Sequence, residues 1–416
     1  MRQTGAMRSV ADHLTAVRTL LEPLADREPS MIALPSTTSE VDLGRVLARD
    51  IVSPIDHPPF DNSQMDGYAV SIADVIAGRR MPVAAFIAAG QTVGTLKPGT
   101  AAPIMTGAPI PRGADAVIPI EQANPASFDA TEVSFSEVPA RGAFVRPRGS
   151  DLGRGDPVLS AGARLTAARW GILAASGIRL VPVISRVKVL VISTGDEVQE
   201  PGAALAEGRV FDANGVAMAV AVAEAGGVVT AILRVTDSAA SMTAILGEHA
   251  PDADLILTTG GVSKGAFEVV RDVFEPAGVS FLSVGMQPGG PQGLGVARMA
   301  DAAGRPIERA VVAFPGNPVS ALVSFEMFLR PVLRRIHGLA PERPSTIAPL
   351  AQPLESPPNK HQVRRGILRS DGLVELVGGP SSHLLHGYAS STHLVHVAEG
   401  ISHLDSGANV EVWSIE

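Results

Sequence analysis

Residues 254–265 of the chain read DLILTTGGVSKG. The first half is an apolar run of strand length, Asp254–Thr258. The second half, Thr258–Gly265, sets the paired Gly260 and Gly261 among hydroxyls and a lysine, and helical spacing follows over Ala266–Phe274. Strand, glycine turn and helix in that order make a βα unit, and the order recurs on both sides. Strands are expected at Val187–Ser193, Val228–Val235, Asp254–Thr258, Val279–Val284 and Ala310–Phe314. Helices are expected at Val216–Ala225, Ala239–His249, Ala266–Phe274 and Val319–Ile336. Apolar strands alternating with helices predict a doubly wound parallel αβ sheet covered on both faces.

Such sheets bind ligands at the carboxyl ends of their strands, and three loops fall there. In Ser193-Thr194-Gly195-Asp196-Glu197, glycine permits a tight turn, hydroxyls hold an oxyanion, and two carboxylates bind metal or polarise water. The competing reading is an ordinary turn with solvated acids. In Thr258–Gly265, Gly260 and Gly261 turn backbone N–H groups toward an anion ahead of a helix, with Ser263 and Lys264 beside them. The spacing is not that of a Walker P-loop. In Phe314-Pro315-Gly316-Asn317-Pro318-Val319-Ser320 the prolines fix the backbone and Gly316 allows close approach, although Asn317 or Ser320 would serve equally as an N-cap. Three such loops on one edge describe an extended anionic ligand carrying a phosphate or two.

Outward from this region the texture changes. Val10–Leu24 has helical spacing. Val41–Ala48 reads as a second short helix with Ser39 as its cap, and Thr166 heads a helix over Ala167–Ser176 that Gly177 ends. Between Ile51 and Phe144, short β-rich runs such as Ala114–Pro119 and Thr131–Val138 alternate with Pro and Gly. The residues beyond Pro344 show short strands and polar turns, read as a small β-barrel or sandwich. In isolation, Asp66-Gly67 reads as a hairpin turn, Thr106-Gly107 as a strand-end turn and the Arg148–Asp151 loop as a solvated loop.

The whole chain has 416 residues, too many for one core, since single cores stop growing near ~250–300 residues. Its net charge of −8 makes it a poor general nucleic-acid binder. It has no cysteine, which excludes disulfides, thiolate catalysis and Cys-based zinc or iron–sulfur sites. The histidines fit no common zinc spacing. No secretory signal or membrane-spanning run is evident, so a cytoplasmic location is expected. Lysine occurs only at Lys97, Lys188, Lys264 and Lys360.

Six segments in order, PPFDNSQMDGYAV, IMTGAPIPRGADAV, RGSD, ISTGDE, TTGGVSKGAFEVV and FPGNPVSALVSFE, closely resemble the MoeA family of molybdopterin molybdenumtransferases, whose eukaryotic counterparts are gephyrin E domains. The resemblance runs from about Val10 to the C-terminus. It implies a mixed α/β subunit of four domains: a helical linker domain at 1–52 plus 145–182, a β-rich inserted domain at 53–144, a molybdopterin-binding αβ domain at 183–339 and a C-terminal β-barrel at 340–416. It further implies a homodimer that takes adenylylated molybdopterin and molybdate, inserts molybdenum and releases AMP with a divalent cation, usually Mg2+. A molybdopterin adenylyltransferase and molybdoenzyme acceptors are the implied partners, with no nucleic acid and no membrane.

Mapped by motif, the implied catalytic acids are Asp66, Asp151, Glu197, Asp237 and Glu268, with Glu197, Asp237 and Glu268 holding metal. The implied substrate contacts are Thr106, Ser193, Thr194, Gly195, Gly260, Gly261, Ser263, Lys264, Pro315, Gly316, Asn317, Pro318, Ser320, Arg364 and Arg365. One segment departs: where the family often shows KPGKP, this chain has Gln287-Pro288-Gly289-Gly290-Pro291. Two cations are absent, each worth ~1.5–3 kcal/mol in a charge-assisted contact, and Lys264 is the expected substitute. Two rivals remain. Adenylylating relatives carry GGTG where this chain has GGVS and lack the MDGYAV domain. A pure scaffold need not keep Asp66, Asp151, Glu197 and Asp237 together, and all four are present; a paralogue of weak activity or changed oxyanion or substrate is the alternative that the missing lysines raise.

Overall fold

A computed structural model describes residues 7–90, 94–263 and 268–416. Lys264, and the first residues of the helix expected at Ala266–Phe274, lie outside the described residues. The chain forms two compact units, one of 1–30, 42–46 and 183–416, the other of 31–41 and 47–182.

The first unit contains the αβ sheet. Its strands are β1 (Lys188–Thr194), β2 (Val228–Val235), β3 (Leu255–Thr259), β4 (Val279–Ser283), β5 (Pro291–Ala300) and β6 (Pro306–Phe314), in the spatial order β2-β1-β3-β6-β5-β4. β2, β1, β3 and β6 are parallel, as the βα rhythm predicts. β5 pairs antiparallel with both β6 and β4. The sheet is therefore mixed rather than wholly parallel. Two reversals cancel, so β4 points the same way as β6 and its end at Ser283 lies on the same edge as the three ligand loops.

β5 was not among the expected strands, because glycines at Gly293 and Gly295 break its apolar pattern. They are there for close approach: a Cβ at Gly293 would lie 2.7 Å from the Phe281 ring.

Alternation along the strands supplies a core to each face. Val189, Val191, Leu255, Leu257, Val312 and Phe314 pack with the helix Ala213–Glu224, the helix Val10–Leu21 and the segment Pro318–Ile336. Leu190, Ile192, Ile256, Val311 and Ala313 pack with the helices Ala239–His249 and Val269–Ala277. Both faces are apolar, so the strands read as continuous hydrophobic runs. The expected helix Val319–Ile336 is interrupted by a π-turn at Phe325–Leu329. There Glu326, 8% exposed, takes two hydrogen bonds from Arg343, at 2.8 and 2.9 Å.

The C-terminal part is β-rich. His361–Leu368 pairs with His393–Val397, and that strand with Asn409–Ser414. His361–Leu368 also continues onto Met286–Gln287 in parallel register, which ties this part to the loop after β4.

The second unit is built from short strands. Gly67–Val70 lies between Ala102–Ile104 and Ala116–Pro119, and Glu132–Phe135 lies between Arg80–Pro82 and Ala123–Asn124. Tyr68, Val70, Ile118, Val133 and Phe135 form its main core. Pro157–Leu159 pairs with Ile51–Val52, and the Leu34 N–H donates to the Arg179 carbonyl at 3.0 Å, so the chain returns to its early segments after the β-rich stretch. The helix Ala167–Ala175 forms and ends before Gly177, although the Thr166 side chain makes no capping bond.

The helix expected over Val41–Ala48 does not form. Gly44 sits at φ +76°, and the backbone beyond it pairs in extended form, with the Ile184 N–H on Val46 and the Leu47 N–H on Ala163. Ser39 sits instead inside a short 3-10 turn, Thr38–Glu40. Long-range pairing outweighs the helical spacing here. Among the described residues no helix is long and apolar enough to cross a membrane.

Candidate functional site

The ligand loops meet in a cavity of about 1140 Å³ on the carboxyl edge of the αβ sheet. Backbone packing holds them together. Gly260, at φ +95°, faces Thr194 so closely that a Cβ would lie 2.6 Å from Oγ1 and 2.8 Å from the carbonyl oxygen. A Cβ on Gly316 would lie 3.3 Å from the Gly260 Cα. Each loop therefore uses glycine where the next approaches. Ser193, Thr194, Gly195, Glu197, Asp237, Gly260, Gly261, Ser263, Glu268, Pro315, Gly316, Asn317, Pro318 and Ser320 all line this cavity.

A carboxylate group occupies the end over β1 and β2. The Asp237 N–H donates to Asp196 Oδ1 at 3.0 Å, lacing the loop after β2 to the loop after β1. The Ser263 N–H donates to Glu268 Oε2 at 3.1 Å. Partial burial raises the Asp237 pKa above its ordinary value, and the negative charges of Asp196, Glu197 and Glu268 raise it further. Glu197 itself is exposed.

These acids share one pole without forming a closed cage: among the described residues no three His, Asp or Glu side chains converge as a metal-binding group. Mg2+ does not need such a cage, since it keeps several waters and is held by one or two carboxylates plus substrate phosphates. Crowded carboxylates suit that mode, because a bound cation relieves their repulsion.

Neutral donors furnish the middle of the cavity. Ser193 is nearly buried, and its hydroxyl donates to Asp212 Oδ1 at 2.9 Å. Asp212 also caps the helix Ala213–Glu224 by accepting from the Gly215 N–H at 2.8 Å. Asn214 Nδ2 donates to the Gly316 carbonyl at 2.7 Å and so fixes the third loop. Asn317 stands at the helix start without making a capping side-chain bond, so capping does not account for it.

Some lining residues escaped sequence reasoning. Asp212 and Asn214 carry a local signal, an Asp-Ala-Asn turn before a helix. Lys360, Ser381 and Ser382 carry none, because only the tertiary fold brings them to this edge. The Val319 N–H donates to the Ser382 carbonyl at 3.1 Å, which seats the 380–382 turn against the third loop.

Arg364 and Arg365 do not line the cavity. Both are buried, at 7% and 0% exposure, and reach the Gly378 and Gly379 carbonyls. They support the strand and turn leading to Ser381. Burial lowers both pKa values, and among the described residues Arg365 Nε and Nη1 find no hydrogen-bond partner.

Asp66, Thr106 and Asp151 belong to the other unit. Asp66 Oδ1 accepts from both the N–H and the hydroxyl of Thr106, each at 2.7 Å, which holds its pKa below the usual carboxylate value. Asp151 is exposed, and its N–H donates to the His57 carbonyl at 3.0 Å. Its loop continues a ribbon in which Val145–Arg146 pairs with Asn62–Ser63.

Glycine loops, a helix start and a carboxylate pole lie on the edge at which doubly wound sheets take phosphorylated ligands. Residues 8–177 match the MoeA N-terminal region (domain I and II), residues 190–335 the probable molybdopterin binding domain and residues 347–415 the MoeA C-terminal region (domain IV). The chain belongs to the MoeA family.

It is 42% identical to molybdopterin molybdenumtransferase 2 of Mycobacterium tuberculosis, over 98% of this chain and 100% of that one. It is 34% identical to the molybdopterin molybdenumtransferase of Haemophilus influenzae, over 88% of this chain and 90% of that one. A solved structure of the molybdopterin biosynthesis MoeA protein from Pyrococcus horikoshii superimposes with a TM-score of 0.77 at 30% identity, covering 99% of this chain and 100% of that one.

Proposed function

We propose that this chain is a transferase of molybdenum cofactor biosynthesis that inserts molybdenum from molybdate into adenylylated molybdopterin and releases AMP. The observation that carries the reading is the polar division of one cavity, with Glu197, Asp237 and Glu268 at one pole and neutral hydroxyls and backbone amides beside them. A phosphoanhydride is polyanionic and needs cationic charge where it breaks. The carboxylates supply a place for a divalent cation, and Gly261, Ser263, Asn317 and Ser320 supply donors with no charge of their own, on a frame held by the Ser193–Asp212, Thr194–Thr259 and Gly260–Phe314 hydrogen bonds.

Mg2+, held by Glu197, Asp237 and Glu268 together with substrate phosphates, would offset the negative charge of the anhydride. The chain's residues do the rest. The glycine loops let the phosphates approach the backbone closely, and the prolines of the third loop hold that geometry before substrate arrives. An oxygen of molybdate is the proposed nucleophile.

Asp66 and Asp151 are proposed as further catalytic acids, Thr106 as the group that keeps Asp66 ionised, Lys264 as further cationic support for substrate, and Arg364 and Arg365 as supports of the turn that leads to Ser381. The proposal retains the four-part division at 1–52 plus 145–182, 53–144, 183–339 and 340–416. It also includes a homodimer, a cytoplasmic location, supply by a molybdopterin adenylyltransferase and delivery to molybdoenzymes.

Purified chain given adenylylated molybdopterin, Mg2+ and molybdate should release AMP, and omission of molybdate should slow that release. Absence of AMP with any divalent cation would overturn the reading.

A further inference from the structure

The cavity has an apolar shelf beside its acids. Val198, Val210 and Phe211 line it there. Among the described residues Phe211 is the sole aromatic side chain on the cavity wall, in a chain that is only 4% aromatic. It is 42% exposed, and Val210 beside it is 53% exposed. Phe211 joins neither core of the αβ sheet, and among the described residues it meets no other ring.

The backbone fixes this residue from both sides. Val198–Gln199 and Val210–Phe211 pair in parallel. The Val210 N–H donates to the Glu197 carbonyl and the Asp212 N–H to the Gln199 carbonyl, each at 2.8 Å. Asp212 is then held by the Ser193 hydroxyl at 2.9 Å and the Gly215 N–H at 2.8 Å. Phe211 therefore stands between the loop that carries Glu197 and the first turn of the helix Ala213–Glu224. That turn also carries Asn214, whose bond to Gly316 fixes the third loop.

A lone exposed apolar side chain is ordinary on open surface. Phe211 differs in being fixed on a cavity wall, next to an acidic loop. A ring face without a partner attracts a second flat ring, by offset stacking that tolerates many substituents.

We propose that Phe211 is the platform on which a flat heteroaromatic ring of the substrate stacks. The assignment deepens the function proposed above and rests on it. Adenylylated molybdopterin offers two such rings, the adenine and the pterin, joined through the anhydride that the acidic pole serves. A ring on Phe211 leaves its phosphate beside Glu197. Phe211 contributes binding and orientation, and no bond changes at its ring.

The test compares full-length wild type with Phe211→Ala, Phe211→Leu and Phe211→Tyr. In the first arm, AMP release with Mg2+ is followed while adenylylated molybdopterin is titrated at saturating molybdate, and then while molybdate is titrated at saturating pterin. Phe211→Ala and Phe211→Leu should raise the half-saturating pterin concentration about fivefold or more and leave that of molybdate within about twofold, while Phe211→Tyr stays near wild type. Leucine keeps apolar bulk without a ring, so it separates stacking from apolar cover. In the second arm, calorimetric titration with AMP alone and with 6-carboxypterin alone identifies the ring: the probe whose affinity falls in Phe211→Ala and Phe211→Leu is the one that stacks.

Wild type that releases no AMP, yet binds a probe that both variants lose, would fail the proposed function and leave the stacking contact standing. An unchanged pterin requirement in Phe211→Ala, full retention by Phe211→Leu, or equal affinity of wild type and Phe211→Ala for both probes would each overturn the contact. Unchanged thermal midpoints in Phe211→Ala or Phe211→Leu exclude a folding defect.

Discussion

The backbone N–H of Asp237 donates to Oδ1 of Asp196 at 3.0 Å, and the N–H of Asp196 returns to Oδ2 of Asp237 at 3.4 Å. This reciprocal pair joins the loops at the carboxyl ends of two neighbouring parallel strands and builds the acidic pole. Burial is the main reason that Asp237 is strained as an anion; the Asp196 N–H offsets part of this, while the charges of Asp196, Glu197 and Glu268 add to it.

The first prediction follows from that raised pKa. A carboxyl whose folded pKa is raised binds more protons folded than unfolded, so stability falls as pH rises from the ordinary carboxylate value through the raised one. Asp237→Asn removes this penalty. Its thermal midpoint at pH 7 without divalent cation should equal or exceed that of the wild type, while the stabilisation conferred by Mg2+ should shrink. A lower midpoint in metal-free buffer, measured by calorimetry, would contradict the crowding argument.

Asp66 has the opposite sign. Both Thr106 donors favour its ionised form, so its contribution to stability is present above the ordinary carboxylate pKa and is lost as pH falls through the lowered one. Thr106→Val removes the hydroxyl and keeps the backbone N–H. The Asp66 pKa, followed by NMR titration, should move up toward the usual value, with a stability cost below about 1 kcal/mol because the pair is solvent-accessible.

Gly260 tests the loop packing. Alanine there meets Thr194 at 2.6 Å and must also adopt φ +95°. Gly260→Ala should cost about 1–3 kcal/mol in chemical denaturation and depress turnover more than the stability loss explains. Gly304→Ala is the control, since it shares a positive φ of +76° but has nothing within 4 Å of its added carbon.

Asn214 tests the third loop. Asn214→Ala frees the Gly316 carbonyl from its 2.7 Å bond. The folding cost should be about 0.5–1.5 kcal/mol. The apparent substrate requirement should rise in steady-state kinetics, because the Pro315–Pro318 turn is no longer held.

Much of this site is legible in the sequence because it is local. A strand, a glycine turn and a helix follow one another in the chain, so Ser193–Glu197, Thr258–Ser263 and Phe314–Ser320 announce themselves. What escapes is set by distant pairing. Lys360 reaches the cavity because His361 pairs with Met286 across 75 positions of sequence. Strand β5 is hidden by glycines needed for close contact with β4. The helix read at Val41–Ala48 has the right spacing, but Val46, Leu47 and Ala48 find extended partners far along the chain. Arg364 and Arg365 mark the right neighbourhood, yet both are buried and reach the carbonyls of the distant turn at Gly378–Gly379.

The most direct test of the central claim is to measure pterin-bound molybdenum and released AMP in the same reaction, with adenylylated molybdopterin, Mg2+ and molybdate. Equimolar molybdenum incorporation and AMP release, both lost when Glu197 is replaced by Gln, is the predicted result. AMP release without molybdenum reaching the pterin would mark the chain as a hydrolase and contradict the account.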